Sequence, residues 1–189
     1  MGPNSTLGSV VKEILQTALI SFGIFFVVYI FLVQPHRIKG ESMVPNFTDG
    51  ELILSEKIGY KLDEPRRGDV VVFRAPAPAK VDFIKRIVGV PGEKVTISNG
   101  EVHINGQKLE EPYEIQITEG RVDLQLGENQ YFVLGDNRRS SSDSRTFGPI
   151  YKNSIKGRAW IVYWPIFSNE NSKGKRVISR IRYSISNSF

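Results

Sequence analysis

The chain has no cysteine. Disulfides, thiol nucleophiles and Cys-ligated zinc are thereby excluded. Histidine is almost as scarce, with only His36 and His103 among 189 residues. A Ser-His-Asp triad would have to use one of these two, and neither stands in a recognisable triad context. No three like charges follow one another. Aromatic and basic residues do not interleave as they do in a single-strand nucleic-acid binder. The net charge of +5 and pI of about 9.4 suit anionic lipid headgroups as well as nucleic acid, so they decide little. Internal repeats are lacking, and helical periodicity nearly disappears after Pro35.

One absence is local. Residues 14–33, ILQTALISFGIFFVVYIFLV, carry no charge over twenty positions. At helical rise they span about 30 Å, the thickness of a hydrocarbon core. Tyr29 and His36 lie toward the far end, where amphipathic rings anchor at an interface. No small-x-small site follows Val33, and the run is too long for the apolar part of a cleaved signal peptide. The expectation is a short segment 1–13, then a single transmembrane anchor 14–33. Counting Lys12 before the run against Arg37 and Lys39 after it leans toward a cytoplasmic C-terminal part.

Beyond this run the chain reads as mainly β, an antiparallel domain over 36–165 with a smaller β insertion at 92–130. Glu51–Leu54 is a short apolar strand after the Asp49-Gly50 turn. Gly68–Arg74 and Val81–Val90 are longer, β-branched strands, separated by a Pro- and Ala-rich loop at 75–80. In Lys94–Leu109, Asn99-Gly100 and Asn105-Gly106 separate alternating apolar segments, the strongest short-range hairpin signal. Residues 110–129 are polar and carry no clear pattern. Gln130–Leu134 enters a polar loop, and Lys156–Trp164 is the last strong strand, ended by Pro165. The tail 166–189 is basic and holds no uninterrupted apolar run.

Three stretches carry chemistry. Gly40-Glu41-Ser42-Met43-Val44-Pro45 puts a serine a short way beyond the apolar run. A serine hydroxyl is a poor nucleophile until a base takes its proton. The second stretch is Phe83-Ile84-Lys85-Arg86-Ile87. On a strand Phe83, Lys85 and Ile87 share one face, so a lysine stands where the core is expected. Burial disfavours the ammonium and lowers its pKa from about 10.4 toward neutral, at about 1.4 kcal/mol per unit. Either such a lysine serves as a base, or it snorkels to an edge with Arg86 on the other face. The third stretch, residues 135–145, GDNRRSSSDSR, is a dense polar loop. It is either a surface turn or a network that orients a neighbouring lysine. The triplets Asn4-Ser5-Thr6 and Asn46-Phe47-Thr48 match the glycosylation pattern, but a glycan on Asn46 would crowd Ser42.

Taken together, these stretches resemble the type I signal peptidases, the Ser-Lys membrane proteases of peptidase family S26. GESMVP resembles the serine box, RGDVVVF the next, IKRIVGVPGE the lysine box and GDNRRSSSDSRTFG the last, all in order between residues 38 and 148. The resemblance implies Ser42 as nucleophile and Lys85 as general base, with no metal and no cofactor. It implies that Ser141 hydrogen-bonds the Lys85 amine and that Asp143 and Arg145 pair to brace the site. It implies an extended substrate between Ile38–Glu41 and Asp82–Ile84, with shallow pockets lined by Ile38, Gly40, Met43, Phe83 and Ile84. The implied partners are preprotein signal peptides with small residues before the cut, and the bilayer; no nucleic acid is implied. Such an enzyme works alone or with the export machinery. Its catalytic domain lies on the outer, periplasmic or lumenal side of a bacterial-type plasma membrane or a thylakoid membrane, and this outranks the charge count. One departure is Gly40, where some members carry a serine that donates to the oxyanion. Two other readings use the same residues. One is a self-cleaving Ser-Lys repressor, which would need a DNA-binding helical domain. The other is an inactive membrane-tethered β module that binds signal peptides without cutting them.

Overall fold

The computed structural model describes residues 4–76, 78, 81–113, 116–164 and 179–180. Part of the loop 75–80, Pro165, the first three residues and all of the tail except 179–180 lie outside the described residues.

The chain opens with helix α1, Asn4–Leu32. Within it Gly8–Val27 is apolar and long enough to cross a membrane, and none of that stretch is buried. Large side chains such as Ile14, Leu19, Phe22 and Phe25 stand out from it, each more than half exposed. In water such a surface would be unfavourable; in a bilayer it is the matching solvent. The helix stops at Leu32, just short of the expected limit at Val33. Pro35 disfavours helical backbone at Gln34, and Val33 already opens strand β1, Val33–Arg37. Pro35 can sit in β1 because β1 is an edge strand. The change from helix to sheet therefore occurs with no intervening loop.

Among the described residues eleven further strands follow: β2 Leu52–Glu56, β3 Val70–Arg74, β4 Asp82–Gly89, β5 Lys94–Ser98, β6 Glu101–Ile104, β7 Gln107–Lys108, β8 Val122–Gln125, β9 Gln130–Leu134, β10 Ile150–Tyr151, β11 Ile155–Trp164 and β12 Ser179–Arg180. Two single-turn helices intervene, α2 at Gly59–Leu62 and α3 at Ser144–Phe147. The larger sheet runs β1-β2-β11-β3-β4-β9-β10, with β12 on β11, and the smaller runs β7-β6-β5-β8. Every pairing is antiparallel. The mainly antiparallel β fold with one apolar N-terminal helix is thus the one expected.

Strand β3 explains how the core divides. Val70 and Val72 pack with Ile38, Met43, Phe47, Ile53 and Ala159 on one face of the sheet. Val71 and Phe73 pack with Ile87, Tyr131, Val133 and Ile150 on the other. An unbroken β-branched run is what a strand covered on both faces requires. The smaller sheet closes a third cluster, in which Val95, Ile97, Val102 and Ile104 meet Val88, Phe132 and Leu134. Its two hairpins are built on Asn99-Gly100 and Asn105-Gly106, all four residues with positive φ, the geometry that Asn-Gly turns favour. The fourth strand of that sheet, β8, lies in the stretch where the sequence showed no pattern.

Gly89, the last residue of β4, marks where the two sheets meet. A methyl group there would lie 2.6 Å from Val95 Cγ2 and 2.9 Å from Leu126 Cδ1. These are core atoms without room to retreat, so Gly89→Ala should cost about 1–3 kcal/mol. For a chain of this size that lowers the thermal midpoint by roughly 2–4 °C per kcal/mol. An unchanged midpoint in thermal denaturation would contradict this packing.

Candidate active site

The serine stretch follows β1 directly and is fixed from three sides. Ile38 N–H donates to Glu51 O at 2.8 Å, and Gly50 N–H donates back to Ile38 O at 3.0 Å. Met43 and Phe47, 1% and 2% exposed, plug the stretch into the core beneath it. From above, Asn137 N–H donates to Ser42 O at 3.0 Å, and Asn137 Nδ2 donates to Glu41 O at 3.1 Å. Among the described residues the Ser42 N–H has no hydrogen-bond acceptor, so it is available to a ligand.

Strand β4 brings Lys85 to this serine. Its Nζ lies 2.7 Å from Ser42 Oγ and 2.9 Å from Ile84 O. The residue is 4% exposed. Burial pushes its pKa down to about 8, and the carboxylates of Asp143 and Asp136 oppose the fall. A charged amine would donate to Ser42 Oγ. A neutral one accepts the Ser42 hydroxyl proton, which is the arrangement a general base needs. Neither histidine offers this. His36 Nε2 is 2.9 Å from Ser55 Oγ, and His103 lies in the smaller sheet beside Glu101.

The loop after β9 supports the pair. Asp143 is fully buried and caps α3. Its carboxylate accepts from Arg145 Nε at 2.8 Å and Nη2 at 2.9 Å, and from Gly135 N–H at 3.1 Å. Arg145 Nη2 reaches on to Arg138 O at 2.6 Å. The expected Asp143–Arg145 pair is therefore formed. Ser141 differs from expectation: its Oγ is buried without a hydrogen-bond partner, and no bond to Lys85 is made. It is pressed against Gly135 instead. A methyl group on Gly135 would fall 2.2 Å from Ser141 Oγ and 2.5 Å from Ser42 O. Gly135 is what lets the loop close over the serine.

The expected substrate-contacting residues divide. Ile38, Met43 and Ile84 come together on one face of the sheet. Phe83 packs on the other face with Phe73 and Phe147, its ring centroid 5.3 Å from Lys85 Nζ, and so helps to keep water from the amine. Gly40 is exposed at φ +86, where glycine is favoured and a serine would be strained. Its N–H donates to Asp49 Oδ1 at 2.7 Å. A separate cleft of about 1110 Å³, lined by residues including Gln34, Tyr60, Tyr151 and Lys156, shares no residue with the Ser42–Lys85 site.

Several residues at the site were not expected. Arg86 is buried, and its guanidinium binds the Asp136 carboxylate with two hydrogen bonds, of 2.8 and 2.6 Å. It also stacks on the Tyr113 ring at 4.0 Å. Asn46 donates from one amide to Asp136 Oδ2 and to Tyr113 O, so its side chain is part of this network and not a free glycan acceptor. A buried arginine beside the lysine was the available signal, since an unpaired guanidinium would not remain there.

With this geometry in place, comparison with known proteins is direct. Residues 11–164 match the family of signal peptidases, peptidase S26. A signal peptidase IB from Staphylococcus aureus is 37% identical over 190 residues, covering 86% of this chain and 98% of the relative. A probable signal peptidase I-2 from Synechocystis is 33% identical over 170 residues, covering 87% of this chain and 76% of that one. A crystal structure of a signal peptidase I from Enterococcus faecalis overlays 51% of this chain and 97% of its own at 32% identity, with a TM-score of 0.46. The chain belongs to the signal peptidase family, peptidase S26.

Holding the Lys85 amine at about 8 costs the fold roughly 3 kcal/mol below that pH. The folded value is depressed, so the cost is full below about pH 8 and fades as pH rises to the free value of 10.5. Lys85→Met should raise the thermal midpoint by a few degrees at pH 7, and the gain should shrink toward pH 10. A melting point that falls at pH 7 would show that the amine is not held at such a cost.

Proposed function

We propose that Ser42 is the nucleophile and Lys85 the general base of a membrane-bound serine endopeptidase that removes signal peptides from exported preproteins. Membership of the signal peptidase family supports the activity. The observation that carries the assignment of roles is the 2.7 Å approach of a buried lysine amine to Ser42 Oγ.

The neutral Lys85 amine takes the Ser42 proton as Oγ attacks the scissile carbonyl carbon. The carbonyl π electrons move to oxygen, and the resulting oxyanion is received by the free Ser42 N–H. One such donor is worth about 3–4 kcal/mol in comparable sites. The intermediate collapses, the C–N bond breaks, and the Lys85 ammonium gives its proton to the leaving amine. The same amine then deprotonates a water, which hydrolyses the ester and frees Ser42. Phe83 and the loop bearing Asp143 keep the amine dry through this cycle. Ser141 acts through packing on Gly135, and Arg145 by holding Asp143.

The substrate adds as an extended strand between residues 38–41 and 82–84. Strand β4 pairs with β9 only from Arg86 onward, so its Asp82–Ile84 edge on that side has no strand beside it among the described residues. An open edge offers main-chain hydrogen bonds to a peptide. Pockets bounded by Ile38, Gly40, Met43 and Ile84 suit small side chains before the cut, and Phe83 shields the amine from the other face. Helix α1 anchors the enzyme, with the β domain over 36–165 and its 92–130 insertion on the outer, periplasmic or lumenal side. The membrane is a bacterial-type plasma membrane or a thylakoid membrane.

The test uses the full-length protein in detergent with a preprotein, scored for the truncated product. Ser42→Ala and Lys85→Ala should each lower the cleavage rate at least ~10³-fold. Substantial cleavage by either variant sinks the dyad. The wild-type rate should rise with pH through about 8, because only the free amine acts. At pH 7 roughly a tenth of the plateau rate remains. A rate that is flat from pH 6 to 9 excludes Lys85 as the base.

A further inference from the structure

Glu111 lies in the polar stretch where the sequence offered no pattern, far along the chain from either member of the dyad. It is nevertheless buried, with its side chain 8% exposed. A carboxylate does not stay out of water without a partner. Its partner is Arg138, itself 1% exposed at the side chain. Arg138 Nη1 donates to Glu111 Oε2 at 3.0 Å and Nη2 donates to Oε1, the two-pronged geometry that fixes direction as well as distance. Tyr113 Oη donates to Glu111 Oε1 at 2.9 Å, which fixes the carboxylate in turn.

Arg138 also bonds to the insertion and to the site loop. Its Nη1 also reaches Thr118 Oγ1, and its Nε donates to Gly135 O at 2.9 Å. Its own carbonyl accepts from Arg145. Gly135 is the residue whose α-carbon is pressed between Ser141 and the Ser42 carbonyl. The path from Glu111 to the nucleophile is therefore two contacts long beyond Arg138. The turn Gly135–Ser141 has no strand partner along this path; the Arg138 guanidinium holds the Gly135 carbonyl, while Asp143 holds the Gly135 N–H.

We propose that Glu111 is a positioning residue for the reaction: by clamping Arg138 it sets the height of the Gly135 turn against Ser42, and so couples the 92–130 insertion to the dyad. This rests on the reading of Ser42 and Lys85 as nucleophile and base. Glu111 touches neither substrate strand, so its loss should slow the chemical step and spare binding. A displacement of the turn by an ångström suffices for a loss on the order of 10²-fold.

The experiment compares full-length wild type, Glu111→Gln and Glu93→Gln in detergent, on a fluorogenic signal-peptide substrate. Glu93 is the control because it also pairs with a well-buried arginine, Arg67, but at the β4–β5 turn away from the site loop. Rates are read well below each variant's melting temperature. Glu111→Gln should lower kcat ~10–100-fold with KM within about twofold, while Glu93→Gln leaves kcat within about twofold. Equal kcat losses in the two variants, or a Glu111→Gln loss confined to KM, overturn the proposal. If Glu111→Gln does not accumulate, Tyr113→Phe removes only the hydrogen bond that orients the carboxylate. It should lower kcat several-fold at unchanged KM, and a wild-type kcat overturns the proposal. Failure of the reading beneath it looks different: Ser42→Ala would then cleave as well as wild type.

Discussion

The structure depends on a lysine amine kept out of water. Lys85 is held by pairing with Val71 of β3 on one side, by the Phe83 ring and by a loop closed over Ser42. Each of these excludes solvent, and exclusion of solvent lowers the pKa of the amine to about 8. The stabilisation that the rest of the fold supplies must offset that cost. The two apolar faces of β3 do so with Val70 through Phe73 wholly or nearly wholly buried. Around the amine the protein places carboxylates at a measured remove. Asp143 and Asp136 raise the Lys85 pKa, yet each is already committed, Asp143 to Arg145 and Asp136 to Arg86. The local charge stays balanced without a carboxylate bonding the amine directly, which would fix it as ammonium.

The loop from Gly135 to Arg145 is a junction more than a turn. It contacts the serine through Asn137, the smaller sheet's insertion through Arg138 and its own helix through Asp143. A segment this polar can be buried only when nearly every donor finds an acceptor. The one buried side-chain orphan in that loop, Ser141 Oγ, stands against Gly135.

How much was legible in the residues varied with the physics of each feature. Strands β3 and β9 were legible because burial on both faces demands unbroken apolar runs. The hairpins of the smaller sheet were legible because Asn-Gly encodes positive φ locally. Lys85 stood out because a charge interrupts a core face. Strand β1 was hidden, since Val33 reads as the end of the apolar run and Gln34-Pro35-His36-Arg37 shows little that favours a strand. Strand β8 was hidden because Val122 and Leu124 alternate with polar residues over only four positions. The pairs Arg86–Asp136 and Arg138–Glu111 join residues 50 and 27 apart, and no local pattern announces them. The family resemblance implies a bond from Ser141 to Lys85, whereas the folded loop spends that position on packing.

The direct passage from α1 into β1 has a mechanical consequence. Lys57 N–H donates to Leu32 O at 2.9 Å, and Val33 is already paired with Glu56. No loop separates the helix from the sheet, and tilting one against the other would break the Lys57–Leu32 hydrogen bond that prolongs the β1–β2 ladder. A flexible tether would let Ser42 sample many heights above a membrane. On the proposed reading of Ser42 as nucleophile, a short joint makes the protein a gauge, in which the strand, five residues from Val33 to Arg37, sets how far from the lipid the cut bond lies.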